Sequence, residues 1–306
     1  MAFTAKDVAE LRKQTGCGMM DCKNALVAAD GNFEEAIKIL REKGMAATAK
    51  KQTRVAAEGL IDIMTEGNLT AMIEVNTETD FVAKNESFKA FVKDLLKTIL
   101  ANKPADVDAL KACKYVDSDL TVEAVLQEKT YTIGEKLDIR RFLIVEGVVG
   151  SYIHGAGATG VVISFDTDVA AAEGFAELAK NIALQAAAYN TPYVSKESVP
   201  SSVIEEEKAI LLKQMEQDPK MANKPAKVLE GIVTGKLGKF FEANCLLEQG
   251  YVKDDSLTVA QYVNQTAKAL GGSVSVTGCY RYDKGEGIQK REDDLAAEVA
   301  KMVGGN

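Results

Sequence analysis

The spacing of apolar and polar residues near the start of the chain predicts a bundle of short helices. Thr4 precedes the first helix and has Asp7 three residues further on, which is the spacing of a capping box. Glycines at 16 and 18 end this helix, and a second one is predicted from about Met19 to Ala29. Each of the two helices has an apolar face, and together these faces can form a small core.

A third helix is predicted from about Phe33, with its end at Gly44, because glycine is common just beyond a helix C-terminus. Residues 45–56 are small and basic, which is typical of a linker. Residues 1–55 are therefore expected to form a helical head with its linker.

A hairpin followed by a helix occurs twice further along the chain, which indicates an internal duplication. The predicted segments are 60–65, 69–76 and 87–100 in the first copy, and 148–153, 160–166 and 174–188 in the second. Hairpin and helix in repeated order predict an α+β fold with antiparallel sheets.

The two copies differ between hairpin and helix, where the first has three additional residues within 78–86. Duplicated units share their cores, so a loop that one copy extends is a candidate for function. The candidate residues are Thr79, Asp80, Phe81 and Val82. The alternative is that Phe81 and Val82 cover the underlying core as a staple-like contact.

Residues 201–241 interrupt the second copy with apolar residues at helical spacing, which predicts a helical hairpin. Its apolar seam could pack internally or against another copy, so a homodimer or a larger assembly with a partner stays open. A helix over 258–270, a strand over 274–282 and a terminal helix over 293–303 follow. The predicted domains are the head (1–55), a first core subdomain (56–145), a second core subdomain (146–200 and 242–283), the hairpin (201–241) and a C-terminal module (284–306).

The charge distribution narrows the choice of partner. The chain has a net charge of -8, of which residues 1–55 contribute +3 and the remainder -11. An acidic balance disfavours binding to nucleic acid, whereas the basic head suggests an acidic docking partner or simply a solvated helical surface. The chain has neither a signal peptide at its start nor an apolar run long enough to cross a bilayer, so we expect a cytoplasmic protein that binds no membrane.

The residues needed for metal or catalytic chemistry are sparse. The five cysteines are scattered and odd in number, which is typical of reduced thiols. His154 is the single histidine, so a zinc set or a Ser-His-Asp arrangement has little to draw on. We therefore expect no cofactor, no metal site and no enzymatic activity.

Two glycine patterns resemble phosphate-binding loops but lack the required context. The first, at 155–160, has the spacing G-x-G-x-x-G, yet a predicted strand follows it where a helix N-terminus is needed. The second, at 231–236, is one residue short of a P-loop and continues into Leu237 instead of a hydroxyl residue. We interpret them as a hairpin turn and as part of a helix, and expect no direct nucleotide binding.

Two consecutive methionines, Met19 and Met20, stand at the predicted start of the second helix. Adjacent residues on a helix cannot both face one core, so at least one should be exposed. Flexible methionine side chains are common at binding surfaces.

Several segments together resemble the bacterial elongation factor Ts family, and the resemblance spans nearly the whole chain in the family's order. The matching residues are Leu11-Arg12, Thr15-Gly16-Cys17-Gly18-Met19-Met20-Asp21-Cys22-Lys23, Asn76-Thr77-Glu78-Thr79-Asp80-Phe81-Val82-Ala83-Lys84-Asn85, Gly150-Ser151-Tyr152-Ile153-His154, Leu246-Leu247-Glu248-Gln249, Val252-Lys253-Asp254 and Gly285-Glu286-Gly287-Ile288.

The resemblance implies a ubiquitin-associated-like head, a duplicated α+β core, a helical hairpin and a C-terminal module. It also implies a guanine-nucleotide exchange factor that acts on elongation factor Tu. In such a factor Asp80 and Phe81, flanked by Thr79 and Val82, would intrude near the magnesium site of the partner. The resemblance further implies partner contacts from the head at Arg12, Met19, Met20 and Lys23, and from the second core subdomain at His154.

Two other functions are possible on the sequence alone. A translation-associated scaffold that uses its head and hairpin only for binding would form the complex and leave the nucleotide release rate unchanged. An enzyme would lose turnover when His154 is replaced.

Overall fold

The structure is a computed structural model of the chain and describes residues 3–218 and 225–289. The described residues form two compact units, one from 3–64, 71–144 and 283–289, the other from 65–70, 145–218 and 225–282. The helices and strands in chain order are α1 (Ala5–Thr15), α2 (Met19–Ala28), α3 (Phe33–Lys51), β1 (Glu58–Glu66), β2 (Leu69–Thr77), α4 (Asp80–Ala83), α5 (Glu86–Asn102), α6 (Val107–Ala112), α7 (Val122–Ile133), β3 (Asp138–Glu146), β4 (Val148–His154), β5 (Thr159–Thr167), α8 (Phe175–Ala188), α9 (Ser201–Glu216), α10 (Ala226–Asn244), β6 (Gly250–Tyr251), β7 (Asp254–Thr258), α11 (Val259–Leu270) and β8 (Val274–Asp283).

The head begins with the predicted capping box. The Thr4 backbone N–H donates to the Asp7 carboxylate at 2.6 Å, and the Asp7 N–H donates to the Thr4 hydroxyl at 3.4 Å. These bonds satisfy N–H groups that a helix start leaves without intrahelical partners. The helices α1 to α3 enclose a core of Val8, Leu11, Cys17, Cys22, Ala25, Leu26, Ala29, Ala36 and Leu40.

The predicted end of the third helix at Gly44 was wrong, because α3 continues through Gly44 to Lys51. Alanines and lysines follow the glycine, and these are strong helix formers that outweigh one unfavourable residue. The extension packs along α7, where the Lys51 ammonium donates to the Thr130 carbonyl at 3.1 Å. Much of the predicted linker over 45–56 is therefore helical.

The first sheet has the strand order β1-β2-β3. The apolar face of α5 is buried at Phe88, Phe91, Val92, Leu95, Leu96 and Ile99. The predicted hairpin over 60–76 is confirmed, but the hairpin pattern predicts only two strands in each copy. The third strand, β3, comes from the segment after α7.

The second sheet has the order β4-β5-β8, with Val148 opposite Phe165 and His154 opposite Thr159 in the antiparallel β4–β5 ladder. The turn at 155–158 closes through a hydrogen bond from the Ala158 N–H to the His154 carbonyl at 3.0 Å. The glycine pattern at 155–160 is therefore a hairpin turn, as predicted. The antiparallel α+β class is also confirmed.

The predicted helical hairpin is present as α9 and α10. Its seam buries Leu211, Met215, Val233 and Leu237, and the glycine pattern at 231–236 lies inside α10. The predicted terminal helix over 293–303 lies outside the described residues. Across 3–218 and 225–289, none of the helices combines the length and apolar composition that a bilayer span requires.

Replacing Gly59 with alanine is expected to lower the free energy of unfolding by about 2 kcal/mol, because both strain and crowding oppose a side chain there. Gly59 has φ +139°, and an added Cβ would lie 2.2 Å from the Val75 carbonyl oxygen. Gly67→Ala is the matched control, since Gly67 has φ +61° but no atom within 4 Å of an added Cβ. Urea unfolding should show a loss of about 1 kcal/mol for the control, and equal losses would contradict the role of crowding.

Candidate functional site: the Phe81 turn

The side chain of Phe81 projects into solvent from the one-turn helix α4, between the first hairpin and α5. Phe81 is 81% exposed, whereas Phe88 at the start of α5 is completely buried. Ala83 is buried and Val82 is half-buried, so they connect the turn to the core. The alternative in which the Phe81 ring covers the core is therefore excluded by its exposure.

Thr79 fixes the start of this turn and is itself held by Glu135. The Val82 N–H donates to the Thr79 hydroxyl at 3.5 Å, which makes Thr79 the N-cap of α4. The two Glu135 carboxylate oxygens accept from the Thr79 hydroxyl at 2.6 Å and from the Thr79 N–H at 3.0 Å. Thr77 adds a bond from its hydroxyl to the Thr79 carbonyl at 2.8 Å.

The neighbouring Glu78 makes the reciprocal contact with the segment that carries Glu135. Its carboxylate accepts from the Lys136 N–H at 2.6 Å and from the Arg54 guanidinium at 3.3 Å. The Lys136 ammonium in turn donates to the backbone carbonyls of Gln52 and Arg54 at 2.9 and 3.0 Å. The Glu78 carboxylate thus bonds to the Lys136 backbone, and the Glu135 carboxylate bonds to Thr79. These reciprocal contacts anchor the Phe81 turn.

Asp80 is the first residue of α4 and forms an ion pair with Lys84 at 2.5 Å, one helical turn later. The hydrogen bond from Lys84 is the largest cause that lowers the pKa of Asp80 below its usual value, and Lys284 also contributes through its charge. The carboxylate can only accept hydrogen bonds in this form. It is therefore a charged acceptor beside the exposed ring.

Replacing Lys84 with glutamine is expected to raise the pKa of Asp80 towards its usual value. The pKa is lower in the folded than in the unfolded chain, so the stability from this pair is present above the unfolded pKa and is lost as the pH falls through the folded pKa. An NMR titration of the side-chain carboxyl carbon measures the shift. In the matched control, Lys89→Gln should affect Glu86, whose pKa the hydrogen bond from Lys89 lowers most, and leave Asp80 unchanged. An unaltered Asp80 titration in Lys84→Gln would show that the pair has no such effect.

The head presents its predicted site residues on the surface. Met19 and Met20 are 43% and 62% exposed, and Lys23 is exposed one turn further along α2. Val27 is also exposed and extends the same helix surface. Arg12 is exposed on α1, so the head carries apolar and cationic side chains that are open to contact.

His154 lies at the end of β4 and is exposed. Its Nδ1 atom is 3.4 Å from the Tyr152 hydroxyl, and the two ring centroids are 6.1 Å apart. No group of three or more His, Cys, Asp or Glu side chains in the described ranges is arranged to hold a metal ion. His154 belongs to the second unit and Phe81 to the first.

The sequence did not reveal a buried ionic cluster in the first unit. Glu74 in the middle of β2 is completely buried, and its carboxylate accepts from Arg140 at 3.0 Å, Arg141 at 2.6 Å, the Gly285 N–H at 2.8 Å and the Asn76 amide at 3.2 Å. Arg141 also pairs with Glu286 at 3.1 Å. The available signals were a glutamate inside an apolar strand and two consecutive arginines in a later one.

The fold and the exposed ring define a class: an α+β protein of two compact units with exposed apolar side chains, among them Phe81, Met19 and Met20. The sequence matches the family description "Elongation factor TS" over residues 78–286. It is 45% identical over 307 residues to "Elongation factor Ts" of Syntrophotalea carbinolica, covering 99% of this chain and 100% of the relative. The corresponding protein of Clostridioides difficile is 46% identical over 305 residues, with 98% and 99% covered. That of Magnetococcus marinus is 42% identical over 308 residues, with both chains fully covered.

The chain belongs to the elongation factor Ts family. The name of the family places its members among the elongation factors of protein synthesis. The segments 11–23, 76–85 and 150–154, which carry the resemblance, lie within the alignment with the Magnetococcus marinus protein, because that alignment covers the whole chain. The family assignment from the sequence is therefore confirmed.

Proposed function

We propose that this chain is a guanine-nucleotide exchange factor that binds elongation factor Tu in its GDP form and accelerates release of the nucleotide. The observation that carries the proposal is the Phe81 ring, 81% exposed on a turn that hydrogen bonds hold in place. Because the backbone of the turn is already ordered, burial of the ring by a partner costs little additional backbone entropy. Membership in the elongation factor Ts family supports the choice of partner.

The free energy gained by burying the Phe81 ring is large enough to weaken nucleotide binding to the partner. Burying a phenylalanine side chain contributes about 1.5–3 kcal/mol, which corresponds to roughly a tenfold to hundredfold shift in an equilibrium. Nucleotide and factor are linked through one coupling free energy, so GDP with magnesium must weaken factor binding by the same ratio by which the factor weakens GDP binding. A factor that acts in this way turns over without making or breaking a covalent bond.

The other site residues take supporting roles in this proposal. Asp80 positions the turn or competes for groups around the magnesium ion of the partner, because it is a charged acceptor beside the ring. Thr79 and Val82 hold the turn, with Thr79 as its N-cap. The contacts proposed for the head and the second core subdomain are made by Arg12, Met19, Met20, Lys23 and His154.

The domain roles follow the same proposal. The head over 1–55 and the first core subdomain over 56–145 carry the α2 surface and the Phe81 turn. The second core subdomain (146–200 and 242–283) carries His154, and the hairpin (201–241) and the C-terminal module (284–306) complete the proposed division of the chain. We further propose that the chain acts in the cytoplasm, that it is not an enzyme, and that it binds neither nucleotide nor nucleic acid directly.

A chase of fluorescent GDP from purified elongation factor Tu, with and without this chain, tests the proposal. We expect GDP release to accelerate as the chain is added and to approach a limiting rate when the partner is saturated. Formation of a complex without any change in the GDP release rate would instead identify a binding scaffold. Failure to form a complex would contradict the choice of partner.

A further inference from the structure

The backbone of its turn sets the direction in which the Phe81 side chain leaves the main chain. The ring is 81% exposed, so packing of the ring itself does little to fix its direction. The turn is a helix of four residues, and so short a helix is unstable alone because the first helical turn costs more than its hydrogen bonds return. Contacts from outside α4 are therefore required to keep the turn ordered and the ring exposed.

Glu135 contacts the start of α4 directly, through the hydroxyl and the N–H of Thr79. A hydroxyl has a single proton and two lone pairs, while a carboxylate only accepts. The 2.6 Å bond therefore directs the Thr79 proton towards Glu135 and leaves the lone pairs for the Val82 N–H, which lies 3.5 Å from the hydroxyl oxygen. The second carboxylate oxygen accepts from the Thr79 N–H at 3.0 Å, which fixes the backbone as well.

We propose that Glu135 is the positioning residue of the Phe81 turn, where it sets Thr79 in the state that caps α4 and thereby directs the ring towards the partner. The proposed effect on GDP release rests on the exchange function, but the ordering of the turn belongs to the free chain. Glu135 is 56 residues from Thr79 in sequence and follows α7, so the site joins two separate segments of the first unit. Positioning of this kind reduces the cost of ordering the turn when the partner binds.

Two measurements on Glu135→Ala test the proposal. Hydrogen exchange of the Val82 and Lys84 amides in the free chain should accelerate about fivefold or more, the factor expected from the loss of a helix N-cap. GDP release from elongation factor Tu at limiting factor concentration should slow about fivefold for the same reason. Glu66→Ala, which removes an exposed carboxylate at the end of β1, is the matched control and should leave both rates unchanged.

The double variant separates positioning from a general loss of structure. In the Phe81→Ala background, Glu135→Ala should cause no further loss of GDP release, because no ring remains to be oriented. An equal loss in both backgrounds would overturn the positioning role. Thr79→Ser keeps the hydroxyl and the N–H and should retain the slow amide exchange of Val82 and Lys84, whereas Thr79→Val should reproduce the faster amide exchange of Glu135→Ala.

The outcomes also separate this proposal from the proposed function. If the unaltered chain fails to accelerate GDP release, the exchange function is wrong, and the amide exchange of Val82 and Lys84 still decides whether Glu135 orders the turn. If the unaltered chain accelerates release but Glu135→Ala leaves amide exchange unchanged, the positioning role is wrong.

Discussion

Replacing Phe81 with alanine is expected to slow GDP release from elongation factor Tu at least tenfold and to leave the stability of the isolated chain unchanged. The ring is 81% exposed in the free chain, so its removal creates no cavity and should shift the urea unfolding midpoint negligibly. Burial of the ring against a partner contributes about 1.5–3 kcal/mol, which sets the expected tenfold to hundredfold loss. Stopped-flow release of fluorescent GDP measures it.

Two further substitutions make the Phe81 result specific. Tyr280 in β8 is another exposed aromatic residue, at 40%, and Tyr280→Ala should leave GDP release unchanged. Phe81→Leu keeps much of the apolar surface and should retain more activity than the alanine variant. If Phe81→Ala releases GDP as fast as the unaltered chain, the ring has no part in exchange.

Replacing Glu74 with glutamine is expected to lower the free energy of unfolding by about 3 kcal/mol, which is the effect of removing one partner from a buried ion pair. The substitution removes one carboxylate partner from Arg140 and from Arg141, although the two side chains are 24% and 29% exposed and water can reach them. For that reason we place the loss at the lower end of the range for buried pairs. Urea unfolding measures the loss in stability.

The same cluster provides the control for Glu74. Glu286 also pairs with Arg141, but its side chain is 50% exposed, and exposed pairs contribute about 0.2–1 kcal/mol. Glu286→Gln should therefore cost less than 1 kcal/mol. The Gly285 N–H loses a charged acceptor in Glu74→Gln, so its amide should exchange faster in that variant alone. Equal losses of stability in the two variants would mean that burial of Glu74 has no special weight.

Local patterns in the sequence predicted most of the secondary structure because local interactions dominate there. The capping box at Thr4 and the hairpin turn at 155–158 involve residues close in sequence, and both were predicted. The end of α3 was missed because Gly44 was given more weight than the helix-forming alanines and lysines that follow it. The bond from Lys51 to Thr130, 79 residues away, adds support that no local pattern shows. The sequence did not show which strand completes each three-stranded sheet, because a hairpin pattern contains no information on strands that are distant along the chain.

In the candidate site, too, local patterns were predicted from the sequence and contacts between distant segments were not. Thr79 to Val82 were predicted as site residues because one copy of a duplicated unit has extra residues there. The exposure of the methionines was predicted because adjacent helical positions cannot share a core. The sequence did not indicate Glu135 or Glu74. Glu135 accepts a hydrogen bond from Thr79, 56 residues away, and Glu74 accepts from Arg140 and Gly285, which lie in separate segments of the chain. A carboxylate in an acidic chain has no distinguishing pattern until the fold brings its donors to it.

The equilibrium coupling between GDP and this factor on elongation factor Tu tests the central claim most directly. It requires the dissociation constant of the factor for the partner with and without GDP and magnesium, for the unaltered chain and for Phe81→Ala. We expect nucleotide to weaken the unaltered factor strongly, and this ratio to shrink at least tenfold when the ring is removed. The same ratio in both proteins would show that the exposed phenylalanine does not drive nucleotide release.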